Sequence, residues 1–283
     1  MKDHRTWVVW GLWLFALSCT VAQWRPTATP LPTSTPTSPP TATPFPSPTP
    51  LDPDTGWQPV DDGLEQRSLN VELGELTERV TILRVDPAQA RFRVIYTPGD
   101  PRPVSVWGEQ TGVRAAINAG YFTETYEATG LIISNGERFG TPYADFAGMF
   151  TVSPAGAPDL RWLRQHPYDP TEPLAGAVQS FPLLVKPGGA LGFPLAADNG
   201  ARARRSVIAK DRAGRILLMA APRGYFTLHA LSAWLTTADL DLDIALNLDG
   251  GTSTGLWVAA GTRLPSSPPL DSLGPVPAVI VVE

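Results

Sequence analysis

The stretch ALNLDGGTSTGL, residues 245–256, places an acid, paired glycines and three hydroxyl side chains between apolar runs. A β-hairpin needs only one Asn-Gly or Asp-Gly step before its alternation resumes, so this loop has more hydrogen-bonding groups than a turn requires. Asn247 and Asp249 alternate across Leu248, which puts both side chains on one face of a strand. The pattern favours a binding or catalytic loop at the end of a buried strand, and a polar turn capped by the aspartate is the alternative.

Gly250 and Gly251 allow backbone N–H groups to approach a ligand closely and to form a nest for an anion. The hydroxyl groups that follow suit a phosphate or a sugar.

Two further stretches have chemistry of the same kind. INAGYF, residues 117–122, ends an apolar run in Asn118, whose amide suits a ligand, and in Tyr121 or Phe122, which suit the face of a sugar. ARARRSVIA, residues 201–209, places three arginines before a strand, and guanidinium groups match the oxygens of a phosphate. An ordinary Asn-x-Gly turn and a solvated charge run are the respective alternatives.

The pattern from residue 57 onward predicts a strand-rich α+β domain with a mixed or antiparallel sheet and a few helices. Short β-branched and aromatic runs are bounded by glycine and proline, which is typical of strands. VTILRVD (80–86) and RFRVIYTP (91–98) are interpreted as the two strands of a hairpin. Asn135-Gly136 is a strong hairpin turn between two further short strands.

Similar turn chemistry separates the paired runs within residues 146–160, 180–192 and 206–220. DIALNLDGG (243–251) and PAVIVVE (277–283) are predicted strands. TLHALSAWLTTA (227–238) is the clear helix, because Thr227 is a suitable N-cap and leucines recur at helical spacing.

The N-terminal region predicts export and attachment to a surface. Residues 1–23 have basic residues followed by the apolar run TWVVWGLWLFAL, which matches a signal peptide. Cys19 follows directly, as in a bacterial lipobox, so we expect a lipid anchor on this cysteine; a plain cleaved signal and an uncleaved anchor are the alternatives. Residues 24–56 are rich in proline, threonine and serine and predict a disordered tether. The domain itself is assigned to residues 57–283.

Composition excludes several functional classes. The formal net charge of −5 does not provide the basic face that nucleic-acid binding needs. One cysteine and three histidines provide no zinc-like spacing, so neither a metal nor another cofactor is predicted.

Taken together, these stretches resemble the phosphodiester glycosidase domain, which forms the catalytic part of the mannose-6-phosphate uncovering enzyme and of many bacterial relatives. The resemblance spans roughly residues 65–283. It depends on an ordered set of motifs: AINAGYF, GLIISNGE, QSFPLLVKPGG, RARRSVIA, GYFTLHALSAWL and ALNLDGGTSTGL. This chain departs from the family where Thr252 replaces a third glycine and where Ser206, Val207 and Ala209 stand in the arginine motif.

The resemblance implies hydrolysis of a sugar linked through its anomeric carbon to a phosphodiester, with a free sugar and a phosphate monoester as products. Asp249, Arg205 and Asn118 are the implied catalytic residues: Asp249 as base or electrostatic stabiliser, Arg205 on the phosphate, and Asn118 on the sugar. The implied substrate-binding residues are Asn247, Gly250, Gly251, Ser253, Gln179 and Gly120.

A second carboxylate is not identifiable. Glu124, Glu127 and Asp145 follow the first asparagine motif, either in reach of the pocket or as loop charges. The expected partners are a glycan or sugar phosphodiester and the membrane, through an N-terminal lipid or signal segment. The alternative function is a non-catalytic glycan-binding module tethered to the envelope on the same fold.

Overall fold

The structure is a computed structural model, and it describes residues 52–110, 112–259 and 270–283. The predicted signal peptide, Cys19 and most of the predicted tether lie outside the described residues. Within them, the strands are β1 (Gln58–Asp61), β2 (Leu64–Leu73), β3 (Leu76–Val85), β4 (Phe92–Tyr96), β5 (Ala115–Asn118), β6 (Ile132–Ser134), β7 (Glu137–Phe139), β8 (Gly148–Val152), β9 (Pro158–Trp162), β10 (Gly176–Ser180), β11 (Leu183–Lys186), β12 (Ala190–Leu191), β13 (Arg205–Asp211), β14 (Ile216–Ala221), β15 (Leu242–Asn247), β16 (Leu256–Val258) and β17 (Ala278–Val282). The helices are α1 (Val104–Gly108) and α2 (Leu228–Thr237), with single 3-10 turns at Leu195–Ala197 and Gly251–Ser253.

The strands form three sheets, and every strand pair in the described part of the chain is antiparallel. The eight-stranded sheet has the order β1-β2-β3-β14-β13-β15-β11-β12. The five-stranded sheet has the order β7-β6-β10-β8-β9, and the four-stranded sheet has the order β16-β5-β17-β4. The predicted strand-rich α+β fold is therefore confirmed.

Both faces of the eight-stranded sheet pack against other parts of the domain. Successive side chains of a strand point to opposite faces, so each buried strand contributes to two cores. One face of β13, with Ile208, belongs to a core shared with residues of the other two sheets, such as Phe150 and Ile280. Its opposite face, with Val207, belongs to a second core that contains Leu231 of α2. Helix α2 and the two smaller sheets thus lie on opposite sides of one central sheet.

Local predictions are confirmed where a turn or a cap decides them. Asn135 and Gly136 have φ angles of 52° and 79°, and they connect the antiparallel strands β6 and β7. The Thr227 hydroxyl accepts a hydrogen bond from the Ala230 N–H at 3.1 Å, which caps α2 as predicted.

One hairpin prediction is wrong. The runs 80–86 and 91–98 do not pair with each other, because β3 pairs with β2 and β14 whereas β4 pairs with β17. The six residues between β3 and β4, 86–91, connect two different sheets, and turn-like composition does not distinguish such a crossing from a hairpin.

The domain also makes contacts before residue 57. Asp54 bridges to Leu69 in β2, and its carboxylate pairs with Arg67 at 2.6 Å. No helix among the described residues is long and apolar enough to cross a membrane.

Candidate active site

The ends of strands from all three sheets meet at one place. Asn118 ends β5, Asn247 ends β15 and Ser180 ends β10. The Ser180 hydroxyl donates to the Asn247 carbonyl at 2.7 Å, and the Asp249 N–H donates to the carbonyl of Ala119 at 3.0 Å. The motifs that the sequence singled out on separate strands therefore lie side by side.

Asp249 follows β15 in a largely buried position. Burial raises the pKa of its carboxyl group above the ordinary aspartate value, and hydrogen bonding by Ser253 and the Gly250 N–H opposes that rise. The Gly250 N–H donates to Asp249 Oδ1 at 2.9 Å. A desolvated carboxylate held by its own loop is suited to accept a proton or to stabilise positive charge.

Both glycines after Asp249 are required by the backbone. A Cβ on Gly250 would lie 2.7 Å from the carbonyl oxygen of Arg204, and Gly251 has a φ of +59°. The Gly251 N–H donates to the same Arg204 carbonyl at 2.9 Å. The loop therefore lies directly against the segment that leads into β13.

Arg205 begins β13 beside this loop. Its guanidinium donates to the carbonyls of Ala201 at 2.9 Å and Phe226 at 3.4 Å, and it makes no ion pair with any residue that the structure describes. Burial lowers its pKa from the ordinary arginine value, while Tyr121 and Asp198 oppose the change. A partly buried guanidinium whose hydrogen bonds in the described part of the chain go to carbonyl groups retains attraction for an anionic ligand.

The charges of Asp249 and Arg205 both affect the hydroxyl of Tyr121. Burial, followed by the charge of Asp249, raises the pKa of Tyr121, whereas the charge of Arg205 lowers it. The phenol is therefore neutral at physiological pH, and it donates to the carbonyl of Phe181 at 2.8 Å. From the sequence, Tyr121 was interpreted only as an apolar wall for a sugar. Its position three residues after Asn118, at the end of a strand, was the one indication that its hydroxyl could belong to the polar site.

Asn247 is fully buried at the centre of these contacts. Its Nδ2 donates to the Tyr121 hydroxyl at 2.7 Å, to the Phe181 carbonyl at 3.0 Å and to the Leu248 carbonyl at 2.7 Å. Its Oδ1 is buried and has no hydrogen-bond partner in the part of the chain that the structure describes. Because native proteins rarely leave a buried acceptor unpaired, this oxygen is a candidate acceptor for a substrate hydroxyl or amide.

Asn118 is 1% exposed, and protein groups occupy both ends of its amide. Its Nδ2 donates to the Asp249 carbonyl at 2.7 Å, and its Oδ1 accepts from the Ser206 hydroxyl at 2.6 Å and the Gly255 N–H at 3.2 Å. These are the contacts of a positioning residue that fixes the Asp249 loop, and the sugar contact that the resemblance implies stays a prediction.

A profile of the phosphodiester glycosidase family matches residues 111–283, more than half of the chain. The chain belongs to this family. The matched region contains the three strand ends described above and the whole of the Asp249 loop. A search of curated proteins found no match.

Solved structures share the fold at low sequence identity. The catalytic domain of zebrafish N-acetylglucosamine-1-phosphodiester alpha-N-acetylglucosaminidase, described as auto-inhibited by its pro-peptide, is 18% identical with a TM-score of 0.61, over 78% of this chain and 83% of that one. A hypothetical protein from Synechocystis is 16% identical with a TM-score of 0.58, over 78% and 62%. A putative exported protein from Burkholderia pseudomallei is 13% identical with a TM-score of 0.51, over 73% and 74%.

The departures from the family motifs leave the site's contacts in place. Ser206 keeps a hydroxyl in the arginine motif, and that hydroxyl bonds to Asn118. Thr252 is exposed in the 3-10 turn Gly251–Ser253, where a side chain has room, and Ser253 is buried beneath it.

Gln179 and Gly120 occupy supporting positions. The Gln179 Nε2 donates to the carbonyls of Tyr143 at 2.8 Å and Phe146 at 3.2 Å, and its Oε1 accepts from the Tyr143 N–H at 2.9 Å. A Cβ on Gly120 would lie 3.0 Å from Val178, so this glycine permits close packing. Neither residue presents a polar side-chain atom to the Asp249 loop through these contacts.

The three acidic residues considered for a second carboxylate lie at the surface, as loop charges would. Glu124, Glu127 and Asp145 are exposed. Asp198 instead acts on the charge of Arg205, and its pKa is lowered by hydrogen bonding to Thr227 and to backbone N–H groups of Gly200 and His229. Asp198 therefore caps the start of α2. In the described segments no group of three histidine, cysteine or acidic side chains is placed to hold a metal ion.

Proposed function

We propose that this protein hydrolyses a glycosyl phosphodiester, releasing a free sugar and a phosphate monoester. Membership of the phosphodiester glycosidase family supports the reaction class. The observation that supports it most directly is that the Asp249 carboxylate and the Arg205 guanidinium stand on adjacent segments: the Gly251 N–H of the Asp249 loop donates to the carbonyl of Arg204 at 2.9 Å, and Arg205, the next residue, makes no ion pair with any described residue. The reaction needs both charges, because positive charge develops on the sugar while negative charge develops on the leaving phosphate.

In this mechanism a water molecule attacks the anomeric carbon while its proton passes to the Asp249 carboxylate. The bond between that carbon and the phosphate oxygen breaks, and its electron pair leaves with the phosphate. Arg205 stabilises the departing phosphate, which is a good leaving group and needs little help from a general acid. The buried Oδ1 of Asn247 accepts a hydrogen bond from the sugar, and Asn118 holds the Asp249 loop in place.

The test is sugar release by the full chain from a panel of sugar-1-phosphodiesters, beginning with N-acetylglucosamine-1-phosphodiesters. The variants are Asp249→Asn and Arg205→Ala. The chain offers matched controls in Asp241→Asn and Arg212→Ala, because these residues form an exposed ion pair at 2.7 Å beyond the opposite ends of β15 and β13.

We expect both site variants to lose turnover by at least about a hundredfold, the scale of removing one charge-stabilising or proton-transfer group, with both controls active. Asp249→Asn should retain substrate binding, whereas Arg205→Ala should weaken it. Turnover that survives in both site variants would contradict the residue assignments. A wild-type protein that binds glycans saturably but cleaves none of the panel would instead be the tethered glycan-binding module.

We further propose that the chain is exported and held at the cell envelope by a lipid on Cys19. The lipobox-like position of this cysteine after an apolar run supports the proposal. Mass spectrometry of the mature N-terminus tests it: a diacylated Cys19 is expected, and an N-terminus at any later residue would contradict it.

A further inference from the structure

Four aromatic side chains form a contiguous cluster beside the candidate active site, which we call the aromatic platform: Tyr143, Phe146, Phe181 and Phe193, of which Phe193 is buried and supports the others from beneath the surface. The ring centroids of Phe146 and Phe181 are 6.4 Å apart with an interplanar angle of 15°. Tyr143 contacts Phe146 at 4.9 Å, and Phe193 contacts Phe181 at 6.1 Å. Tyr143 is 46% exposed and Phe181 is 37% exposed, and contiguous exposed rings of this kind usually mark a binding surface.

The aromatic platform is in direct contact with the polar residues of the candidate active site. The Phe181 carbonyl accepts from both the Tyr121 hydroxyl and the Asn247 amide. The ring of Tyr121 lies 5.5 Å from that of Phe146. A molecule bound against Asn247 and Asp249 therefore meets these rings without a break.

The rings are held in place by a buried side chain. Gln179 is 5% exposed, and its amide bonds to the backbone of both Tyr143 and Phe146. The backbone that presents these two rings is thus bonded to a buried strand residue, and preorganisation of this kind lowers the entropic cost of binding.

We infer that the aromatic platform binds the face of a sugar ring next to the bond that is cleaved. The inference rests on the proposed function and specifies its substrate as a glycan chain. The C–H face of a pyranose is apolar and slightly positive, which suits the negative face of an aromatic ring, while its hydroxyls remain at the edge in water. The exposed rings of Tyr143 and Phe181 flank Phe146, with ring centroids 4.9 Å and 6.4 Å from it, so the platform offers a face for at least one ring besides the sugar that is released.

Direct binding tests this inference without requiring hydrolysis. The full chain is titrated by calorimetry with tetrasaccharides of N-acetylglucosamine, glucose and mannose. The variants are Phe181→Leu, which keeps apolar volume but removes the ring face, Phe181→Tyr, which keeps the ring, and Tyr143→Ala at the other side of Phe146. Val106→Ala is the matched control, since Val106 is 39% exposed on α1. Thermal unfolding of each variant identifies any loss of fold.

We expect at least one tetrasaccharide to bind the wild type, and Phe181→Leu and Tyr143→Ala each to weaken that binding about tenfold, whereas Phe181→Tyr stays within about twofold. Equal binding by the wild type and a folded Phe181→Leu variant would overturn the inference, as would failure of every tetrasaccharide to bind. If tetrasaccharide binding depends on these rings but the protein cleaves no phosphodiester, the inferred platform is supported and the proposed hydrolase activity is contradicted. If the protein cleaves phosphodiesters but binds no tetrasaccharide, the proposed activity is supported and the inferred platform is contradicted.

Discussion

The side-chain amide of Asn247 donates a hydrogen bond to the hydroxyl of Tyr121 at 2.7 Å. Asn247 ends a strand of the eight-stranded sheet, whereas Tyr121 follows a strand of the four-stranded sheet. The charges of Asp249 and Arg205 both act on this phenol, the first raising its pKa and the second lowering it. The hydrogen bond also fixes the orientation of the amide, whose other end, the buried Oδ1, has no partner among the described residues.

Replacement of Tyr121 by phenylalanine is expected to reduce turnover while costing only about 1 kcal/mol of stability, the usual net value of a hydrogen bond. The ring keeps its packing, but the Asn247 amide loses one acceptor beside the reacting groups. Turnover and urea unfolding are the measurements. Tyr96→Phe is the matched control, because the Tyr96 hydroxyl also makes two backbone hydrogen bonds. Equal turnover in the two variants would contradict a role for Tyr121.

Asp249→Asn is expected to be more stable than the wild type at neutral pH. Because burial raises the pKa of Asp249 in the folded state, the folded protein binds this proton more tightly than the unfolded chain does. That stabilisation is complete below the unfolded pKa, about 4 for aspartate, and it is lost as the pH rises through the folded value. Melting temperatures of both proteins from pH 4 to 8 should therefore differ most near neutrality and converge in acid.

The fall of kcat/KM on the acidic side of its pH profile should occur at a higher pH than for an ordinary aspartate. Asp249 must be ionised to accept a proton, and its pKa is raised by burial, so kcat/KM should fall with decreasing pH at values above the ordinary aspartate pKa of about 4. The measurement is kcat/KM on one sugar-1-phosphodiester across the pH range in which the fold is intact. An acidic limb at or below the ordinary value would exclude Asp249 as the base.

The two glycines after Asp249 should respond differently to alanine. A Cβ at position 250 meets the backbone oxygen of Arg204 at 2.7 Å, so the loop must move and carry Asp249 with it. At position 251 there is open space and only the positive φ is unfavourable, at about 1–2 kcal/mol. Gly250→Ala should therefore lose most turnover, whereas Gly251→Ala should chiefly lower the melting temperature. Gly251→Asn, which tolerates positive φ, should be milder still. Turnover retained by a folded Gly250→Ala variant would contradict this view of the loop.

Local chemistry explains which features the sequence could predict. The hairpin at Asn135-Gly136 and the helix capped by Thr227 depend on neighbouring residues, and both predictions are confirmed. The hairpin expected between β3 and β4 failed because strand partners are chosen by burial across the whole domain.

The same distinction applies to the site. The motifs identified residue types that meet at one place, but they did not show which polar atoms are already bonded to protein. Asn118 and Gln179 are examples, because each amide bonds to groups far away in the sequence. The Tyr121 hydroxyl was missed for the same reason, since its partners come from two other strand ends.

The hydrogen bond from Asn118 to the Asp249 carbonyl joins residues separated by 131 positions along the chain. Long-range contacts of this kind form slowly, because the entropy of closing a large loop must be overcome before the contact adds stability. The carboxylate can reach its working position only after strands from different sheets have come together. If the chain is exported as proposed, a chain that leaves the membrane unfolded would have no assembled site until nearly the whole domain had folded, and recovery of the proposed activity after refolding should follow the last step of assembly.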